Sequence, residues 1–517
     1  MKFLLIDIGY DCEELNEPLG IEVLASYLNA YVPQIETQIY CANFDIVDYS
    51  TLLKQESPDI IGISTHINTW ERFDKLYCEC LVYYASKSVE PIIIVGGVLA
   101  TYGYQRLIEN YKNVICSIGE GEESLSTLLK IVAALEVIDY QKLLIELHKQ
   151  ECPNLVFLNS IGEMVSTRRA CLDDLQHINI QVDHKYIESV IKNNGIARME
   201  ASRGCPWNKC SFCVLKWKYA GLSWRPYSIK KIICEIVDLS DKGAQTIYFT
   251  DEEFIAGDFN RINTIVNEIK AAKKKRLIKS NLEFVVSTSV QALIGKYGIE
   301  ENKLIKLLKD MNATGFRSFF LGIESGSNTQ LKRFYKGVSV EECEIVLKLI
   351  KNSGIEIDVG YILFDPLVTL DELEENLEFL KRNHLNEQIS RFAKRLRLVP
   401  HTAFCSYKDL LVEEYDENNI EFEYKFIDTN IEKIYDIYYK WELKHLQITH
   451  TLQAEIRAAR SSVERNRKIT LLEEIRKKEF LILEYLVIIA KNYPSLLDLI
   501  LEKTAKEDFS WTEKLQL

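Results

Sequence analysis

Short apolar runs alternate with amphipathic stretches along the first 130 residues of the chain. Five runs lack the apolar–polar alternation of half-exposed strands and are interpreted as strands buried on both faces of a parallel sheet, at residues 3–8, 36–40, 60–64, 92–95 and 113–118. Helical periodicity lies between them at 19–32 and 70–86. The pattern predicts a doubly wound α/β unit, whose ligands lie beyond the carboxyl ends of the strands.

The same alternation resumes near residue 195. Apolar runs separated by stretches long enough for helices occur at 197–201, 246–250, 283–287, 318–323, 356–363 and 395–399. Six βα repeats favour an open barrel over a second flat sheet, although periodicity by itself does not separate the two. Between the units, a hairpin is expected to turn at 160–162, and the charged tail reads as helical. The predicted divisions are 1–135, a connector at 136–190, 191–410 and 411–517.

Composition narrows the class of protein. The 517 residues are 47% hydrophobic and 27% charged, which predicts about three globular domains. The net charge of −13 gives no bulk attraction for nucleic acid or for an anionic membrane. An acid follows the first few apolar residues, unlike an export signal, and the apolar stretch at 481–489 is shorter than the roughly 20 residues that span a bilayer. We expect a cytoplasmic protein without nucleic-acid or membrane partners.

Three of the 13 cysteines lie close together in one loop after the first strand of the second unit. Cys205, Cys210 and Cys213 follow a turn opened by Gly204 and Pro206. A structural zinc site usually has a fourth ligand nearby, whereas three thiolates on a [4Fe-4S] cluster leave one iron open. The spacing favours the cluster; core cysteines, or a zinc site completed by a distant residue, are the alternative. The other ten cysteines are scattered and are interpreted as buried apolar side chains.

The loop at 201–213 resembles the cluster-binding loop of radical S-adenosylmethionine (SAM) enzymes. Residues 1–410 are similar to the branch of that family with an N-terminal cobalamin (B12)-binding domain. The supporting motifs are Pro18-Leu19-Gly20-Ile21, the run 58–64, Gly96-Gly97 with Ala100-Thr101, the run 119–123, the run 322–327 and Lys336-Gly337. The spacing C-x4-C-x2-C departs from the commonest family pattern, C-x3-C-x2-C, and is interpreted as a one-residue insertion in the loop.

The resemblance implies both a fold and a chemistry. The fold would be a Rossmann-like cobalamin-binding-type domain, a partial (β/α)6 radical SAM barrel and a helical C-terminal region. The open iron would bind the amino and carboxylate groups of SAM, and the reduced cluster would cleave SAM to a 5′-deoxyadenosyl radical, with electrons from a donor such as flavodoxin or ferredoxin. The cofactors would supply the chemistry, and the protein would supply orientation.

The resemblance also implies a set of SAM contacts at the strand ends that face the cluster: Phe212, Asp251, Glu252, Glu253, Ser287, Ser289, Glu324 and Lys336. Alternatives stay open for several of them. The run of acids at 251–253 is also typical of a helix N-terminus, and a lone lysine such as Lys336 is usually solvated. Asp365 and His401 are the candidates for catalysis or substrate binding, although a surface or capping role is more usual for such a histidine.

Cobalamin contacts are implied at the loops after the strands of the first unit: Ser64, Thr65, Asn68, Trp70, Gly96, Gly97, Gly119, Glu120 and Gly121. For Asn68 and Trp70 two interpretations stay open: either they face the corrin or they cap a helix. The loop at 7–20 lacks the histidine of the Asp-x-His-x-x-Gly motif that supplies a lower ligand to cobalt, and His66 lies outside that loop. Either cobalamin binds without a protein histidine or the domain is vestigial.

The leading functional hypothesis is a cobalamin-dependent radical SAM methyltransferase acting on an unactivated carbon of a peptide or small-molecule natural-product precursor. The alternative is a radical SAM enzyme with a vestigial B12-binding domain that catalyses cyclisation, carbon–carbon bond formation or rearrangement. A third hypothesis, a non-catalytic corrinoid-binding or sensing protein, is disfavoured by the intact cysteine trio.

Overall fold

The computed structural model describes residues 1–11, 15–294, 300–389, 391–407, 411–458 and 462–515. The first unit contains the following elements: β1 (Lys2–Asp7), α1 (Leu19–Tyr31), β2 (Glu36–Cys41), α2 (Tyr49–Glu56), β3 (Ile60–Thr65), α3 (Trp70–Ser86), β4 (Ile93–Gly97), α4 (Val98–Tyr102), α5 (Tyr104–Asn110), β5 (Val114–Ser117), α6 (Glu122–Ala133), α7 (Tyr140–Lys149), β6 (Leu155–Leu158) and β7 (Met164–Ser166).

These strands form one sheet in the order β2-β1-β3-β4-β5-β6-β7. Strands β1 to β5 are parallel, and β6 and β7 are antiparallel. Side chains of β1 alternate between two cores, with Leu4 and Ile6 on one face and Phe3 and Leu5 on the other. Burial on both faces explains the continuous apolar runs, and the five predicted strands are confirmed. The predicted hairpin is also present, as β6 and β7 at the edge of this sheet.

The second unit contains α8 (Ile187–Lys192), β8 (Ala197–Met199), β9 (Ser202–Arg203), α9 (Leu215–Lys218), β10 (Arg225–Pro226), α10 (Ile229–Asp241), β11 (Thr246–Phe249), α11 (Phe259–Lys274), β12 (Glu283–Ser289), α12 (Val290–Leu293), α13 (Glu301–Thr314), β13 (Phe316–Glu324), α14 (Asn328–Arg333), α15 (Val340–Ser353), β14 (Glu356–Tyr361) and α16 (Leu370–Arg382). Its parallel sheet has the order β14-β13-β12-β11-β8, and β9 pairs with β10.

The expected sixth strand of the barrel is reduced to a bridge. Arg395 makes a single parallel bridge to Phe364, so the sheet has five regular strands among the described residues. The segment contacts the hairpin that follows as well as the sheet. Arg395 lies 2.5 Å from Glu423 and Arg397 lies 2.8 Å from Glu421, and these ion pairs join the segment to the hairpin that follows.

The C-terminal region is helical, as expected, but it begins with a β-hairpin. Its elements are β15 (Leu411–Asp416), β16 (Glu421–Tyr424), α17 (Thr429–Ala458), α18 (Ser462–Asn492) and α19 (Pro494–Ala505). Asp416 makes the turn, because its carboxylate accepts hydrogen bonds from the backbone N–H groups of Asn418 (2.8 Å) and Asn419 (3.1 Å). Within the described helices, none is both long and apolar enough to cross a membrane. The domain boundaries at 135, 190 and 410 stay predictions.

The scattered cysteines divide by exposure. Six are buried as expected: Cys41, Cys80, Cys116, Cys152, Cys171 and Cys343. Cys78 and Cys234 are exposed on helix surfaces, which corrects the prediction for those two, and Cys405 is half-buried. Cys12 lies outside the described residues.

Candidate functional site

The cysteine loop follows β9 and is fastened at both ends. Gly204 has φ +88°, and a Cβ there would lie 2.4 Å from the carbonyl oxygen of Ser223, so only glycine lets these backbones approach. The Gly204 N–H donates to the Glu252 carboxylate at 2.9 Å. Farther along, the Ser211 N–H donates to the carbonyl oxygen of Phe334 at 3.0 Å. The loop is therefore held against the residues after β11 and the segment after α14.

The three loop cysteines are half-buried. Three thiolates on one loop can hold a [4Fe-4S] cluster and leave one iron open. Burial raises the pKa of Cys205 to about 11 and that of Cys210 to about 12. Since metals bind thiolates, cluster binding would release protons from this loop.

Buried Lys336 and half-buried Glu324 form an ion pair beside the cysteines. Their Oε1 and Nζ atoms are 3.1 Å apart. Glu324 ends β13 at a register shift and has φ +73°, an unusual backbone conformation for a non-glycine residue. Burial by itself would lower the pKa of Lys336, but Glu324 and Cys210 raise it above its ordinary value. Lys336 is thus not the solvated lysine of the alternative interpretation, and the structure brings it together with Glu324 and the cysteine loop.

Phe212 packs its ring edge-on against Phe334, with ring centroids 5.3 Å apart. This contact lies between the second and third cysteines and the segment that carries Lys336. The predicted SAM contact therefore has a packing role as well.

Two of the three acids after β11 support the backbone. Asp251 is buried and accepts hydrogen bonds from the Ala201 N–H (2.9 Å) and the Ser202 hydroxyl; burial raises its pKa to about 7. Glu253 is also buried and accepts from the Thr288 hydroxyl at 2.7 Å. Both carboxylates are engaged at strand ends, and a direct SAM contact by either one stays a prediction.

Glu252 differs because it is only half-buried. It accepts from Lys218 at 2.9 Å and from the Tyr219 hydroxyl at 2.5 Å. Burial would raise its pKa, yet the charge of Lys218 and the Tyr219 hydrogen bond hold that pKa below its ordinary value. Glu252 is therefore an ionised carboxylate that joins the cysteine loop to Lys218.

The two serines at the end of β12 lie at half-buried positions. The Ser287 hydroxyl is 3.1 Å from the hydroxyl of Tyr248. The Ser289 N–H donates to Glu253 at 2.8 Å. These contacts place both serines beside the acids but do not show a ligand contact.

A cleft of about 450 Å³ separates the carboxyl ends of the first sheet from the start of the second. Four of the predicted cobalamin contacts line it: Ser64, Gly119, Glu120 and Gly121. From the second unit it is lined by Arg198, Glu200, Arg203, Lys218, Tyr219 and Thr250. A ligand in this cleft would contact both units, and Lys218 would connect it through Glu252 to the cysteine loop.

A smaller cavity of about 60 Å³ continues between the strand ends of the first sheet. Gly96 and Gly97 both line it, but they differ. A Cβ on Gly96 would meet nothing within 4 Å, whereas one on Gly97, which has φ +84°, would lie 2.3 Å from the carbonyl oxygen of Thr65. Gly97 is thus required by the backbone, and Gly96 faces open space.

Other predicted cobalamin residues are engaged within the protein. The Thr65 hydroxyl donates to the carbonyl oxygen of Gly96 at 2.6 Å. Asn68 and Trp70 contact the tip of the β15–β16 hairpin: the Asn68 N–H donates to the carbonyl oxygen of Asn418 (3.0 Å) and the Trp70 Nε1–H to that of Glu417 (2.8 Å). These two residues thus contact the hairpin, which was not expected from the sequence. Their contact with a corrin stays an untested prediction.

The two substrate candidates lie in different surroundings. Asp365 is fully buried and accepts hydrogen bonds from Arg333 (3.1 and 2.9 Å) and Gln330 (2.7 Å), so the structure gives it a structural role. His401 is exposed and stacks on Trp217, with ring centroids 4.0 Å apart and planes at 2°. The Arg169 guanidinium lies 4.4 Å from the same indole ring. Burial of part of the imidazole and the nearby Arg169 lower the pKa of His401.

Several residues that line the cleft were missed as site candidates. His66 lies 2.9 Å from Asp7 through its Nε2 atom, and the Tyr10 ring lies 4.7 Å from the imidazole. Asp7 lies at the carboxyl end of a predicted strand and Tyr10 follows that strand, and this position was the available signal. Arg203 stands two residues before Cys205, inside the motif itself, but nothing in a sequence shows that it faces the other unit.

Two family models match the chain. The B12 binding domain model covers residues 1–129, and the Radical SAM superfamily model covers residues 199–380. Over 382 residues the chain is 28% identical to 4'-phospho-dehydrooxetanocin synthase of Priestia megaterium, covering 70% of this chain and 48% of that protein. It is 24% identical to anaerobic magnesium-protoporphyrin IX monomethyl ester cyclase of Rubrivivax gelatinosus, covering 70% and 62%. The chain thus spans about half the length of the first relative.

Solved structures show the same fold. The cobalamin-dependent S-adenosylmethionine radical enzyme OxsB, solved with aqua-cobalamin and S-adenosylmethionine bound, matches with a TM-score of 0.83 and 19% identity over 98% of this chain and 75% of that chain. The radical S-adenosylmethionine methyltransferase TsrM from Kitasatospora setae matches with a TM-score of 0.60 and 18% identity, covering 78% and 74%. At these identities the likeness is one of fold.

Proposed function

We propose that this chain, which matches the Radical SAM superfamily model and the B12 binding domain model, is a cobalamin-dependent radical SAM methyltransferase. Its substrate would be an unactivated carbon of a peptide or small-molecule natural-product precursor. The two matched domains imply a [4Fe-4S] cluster, SAM and cobalamin. The observation that carries the proposal is the cleft of about 450 Å³ between the two units, one wall of which joins the cysteine loop.

The cleft suits a large polar cofactor. It is lined by hydrogen-bonding groups of both units, among them Ser64, Arg203 and Lys218, and the smaller cavity behind Gly96 offers space for a side group. When bound, cobalamin would supply a methyl carrier, and cluster-bound SAM would supply the radical. The chain itself would orient the two cofactors and limit access of water between them.

SAM would be held by the pair beside the cysteines. The Glu324 carboxylate can accept hydrogen bonds from the SAM amino group, and Lys336 can donate to the SAM carboxylate. The 3.1 Å separation of their Oε1 and Nζ atoms keeps opposite charges next to each other. Cys205, Cys210 and Cys213 would hold the cluster, and Phe212 would fix the loop. Asp251 and Glu253 would act through the strand ends that they hold.

An enzyme of this family needs a reductant and a substrate. We propose flavodoxin or ferredoxin as the low-potential electron donor and the cytoplasm as the compartment. We propose that His401 acts by its position in an aromatic stack. Its ring lies on the Trp217 ring, and the Trp217 and Tyr102 ring centroids are 5.5 Å apart. These aromatic rings provide an apolar wall for an organic substrate.

A second candidate function follows from the names of the relatives. They include a synthase at 28% identity and a cyclase at 24% identity, as well as an uncharacterised methyltransferase of Pyrococcus horikoshii at 23% identity. The second candidate therefore uses the same radical for cyclisation, carbon–carbon bond formation or rearrangement, without methyl transfer.

The test is an anaerobic reconstitution with iron, sulfide and hydroxocobalamin, followed by desalting and addition of SAM and a low-potential reductant. For a methyltransferase we expect retained corrin absorbance and formation of both S-adenosylhomocysteine and 5′-deoxyadenosine. Formation of 5′-deoxyadenosine without S-adenosylhomocysteine would support the second candidate, whether or not corrin is retained. Protein that retains no corrin would contradict cobalamin dependence altogether.

Variants separate the two cofactor sites. Gly96→Leu places a side chain in the smaller cavity and should abolish corrin retention. Iron content and 5′-deoxyadenosine formation should persist. Gly96→Ala is the matched control, because a Cβ at this position has room. Gly97→Val is unsuitable, since it would strike the Thr65 backbone. Replacing Cys205, Cys210 and Cys213 together by Ala should remove iron and SAM cleavage without removing the corrin. Full iron content in that triple variant would contradict the cluster assignment.

A further inference from the structure

A second group of ligand-type side chains lies where the two units meet. Glu17 precedes α1, Glu22 lies in its first turn, and His184 lies in the segment before α8. One ligand atom from each lies within 4.8 Å of the other two, and all three residues are buried. We propose that Glu17, Glu22 and His184 bind one divalent transition-metal ion that joins the first unit to the second.

Each of the two carboxylates accepts a backbone N–H through one oxygen, and its other oxygen is available as a metal ligand. Glu17 accepts from the Arg198 N–H at 2.6 Å through Oε2, and its Oε1 lies 2.7 Å from His184 Nδ1. Glu22 accepts from the Tyr186 N–H at 2.9 Å through Oε1. Its Oε2 atom is buried without a hydrogen-bond partner. A buried carboxylate oxygen with no partner is costly unless something else binds it.

The histidine also has the surroundings of a metal ligand. With Nδ1 directed to Glu17, its Nε2 atom lies 3.6 Å from Glu235 Oε1, and Glu235 is paired with Lys231 at 2.5 Å. Histidines that bind metals usually donate their second ring N–H to a carboxylate, which orients the ring. Glu235 is placed for that role, and neither His184 Nε2 nor Glu235 Oε1 has another partner.

The composition of the group suits a cation. Two buried carboxylates and one imidazole offer their ligand atoms to the same small space. A divalent ion placed there would offset the cost of burying two acids side by side.

The donor set indicates the class of ion. One imidazole nitrogen and two carboxylate oxygens suit Zn²⁺, at about 2.0–2.2 Å from each ligand, and Mn²⁺ or Fe²⁺ less selectively. Magnesium prefers sites of oxygen atoms only. Glu17 also lines the cleft, which provides a route for the ion.

The experiment uses cluster-loaded protein, in which the loop cysteines are occupied. After chelator treatment and desalting, the protein is titrated with Zn²⁺ and, separately, with Mn²⁺. Mn²⁺ is included because thiols bind it poorly. Bound metal is measured by mass spectrometry and, for Mn²⁺, by electron paramagnetic resonance. We expect one additional ion per chain.

Variants make the assignment specific. His184→Gln and Glu22→Gln should each weaken Zn²⁺ binding at least ten-fold; Gln at position 22 can still accept from the Tyr186 N–H and resembles the protonated acid, so this variant is expected to fold. His177→Gln is the matched control, because His177 is an exposed histidine of the same segment. Equal metal content in the wild type and Glu22→Gln, or no ion beyond the cluster iron, would overturn the proposal. Neither outcome depends on corrin retention or SAM cleavage.

Discussion

The acidic residues around the cysteine loop differ in what they contact. Asp251 and Glu253 accept hydrogen bonds from backbone and hydroxyl groups at strand ends. Glu324 instead pairs with a single lysine, in a strained conformation next to the cysteines. A carboxylate held by one lysine can exchange part of that contact for a ligand ammonium, whereas one held by several backbone donors cannot do so without loss of structure. We therefore expect ligand binding to depend on Glu324 most directly.

Glu324→Gln should weaken SAM binding by about ten-fold, which corresponds to about 1.4 kcal/mol, because the neutral amide accepts a weaker hydrogen bond from an ammonium group than a carboxylate does. The measurement is an anaerobic SAM titration of cluster-loaded protein. Glu301→Gln, on the exposed face of α13, is the control. Unchanged affinity with an intact cluster would assign Glu324 a structural role.

Two features of the C-terminal region matter here: the contact of its hairpin with the first unit and the acids that its helices bury. The β15–β16 hairpin reaches the first unit, where Ile420 is buried in the core that contains Trp70 and Phe73. Behind it, α17 and α18 bury two acids side by side, Glu442 and Glu479. Arg391 pairs with Glu442 at 2.8 Å. The region therefore packs as part of the molecule and has a pH-sensitive contact of its own.

Glu479 is expected to make stability depend on pH. Burial and the charge of Glu442 raise its pKa from an ordinary value near 4.5 to about 7. A raised pKa means that the folded state favours the protonated form, so this contribution is complete below about pH 4.5 and is lost as pH rises through 7. Glu479→Gln should therefore raise the melting temperature more at pH 8.5 than at pH 5.5. Thermal unfolding at both values measures this.

The control is Glu484→Gln, on the same helix at the surface beside Lys381. It should give no such difference between the two pH values. An equal effect of Glu479→Gln at pH 5.5 and 8.5 would contradict the buried-acid explanation.

At the scale of the whole molecule, one arginine connects the two sheets next to the cleft. Arg203 follows the second unit's first strand and lies 2.7 Å from Glu122 and 3.3 Å from Glu120, both of the first unit, and 2.9 Å from Glu200. It is buried, and Arg225 adds a contact to Glu120 at 2.8 Å. The acids of the first unit thus depend on cations of the second, so the relative position of the units and the shape of the cleft are coupled.

Arg203→Met should leave Glu122 without its arginine partner and Glu120 with Arg225 alone, and should lower the free energy of unfolding by about 3–5 kcal/mol. Corrin retention should fall with it, because the same residue lines the cleft. Urea unfolding and desalting after reconstitution measure the two effects. Arg317→Met removes an exposed pair with Glu283 and should change unfolding by less than about 1 kcal/mol. Wild-type stability in Arg203→Met would contradict the coupling.

Local pattern was sufficient for much of the architecture. Strands buried on both faces are continuous apolar runs, as in β1, β3 and β5. Strands with one more exposed face, such as β11, β12 and β14, were also predicted within a few residues, from their place between helical stretches. The cysteine trio was equally visible, because a ligand loop is short and its chemistry belongs to residue types rather than to distant contacts. The segment at 395–399 misled for the same reason: its residues resemble a strand, but its arginines pair with glutamates of a later hairpin.

What the sequence by itself determined is therefore the class of each unit, the order of the units and the position of the cysteine loop. Only the tertiary structure decided which charges meet. Lys336 pairs with Glu324, Arg203 with Glu120 and Glu122, and His184 with Glu17. The partners are 12, more than 80 and 167 residues apart, and each lies in a different element. The physical reason is that burial makes an isolated charge costly, so the partner is set by which elements pack together, and no local periodicity records that.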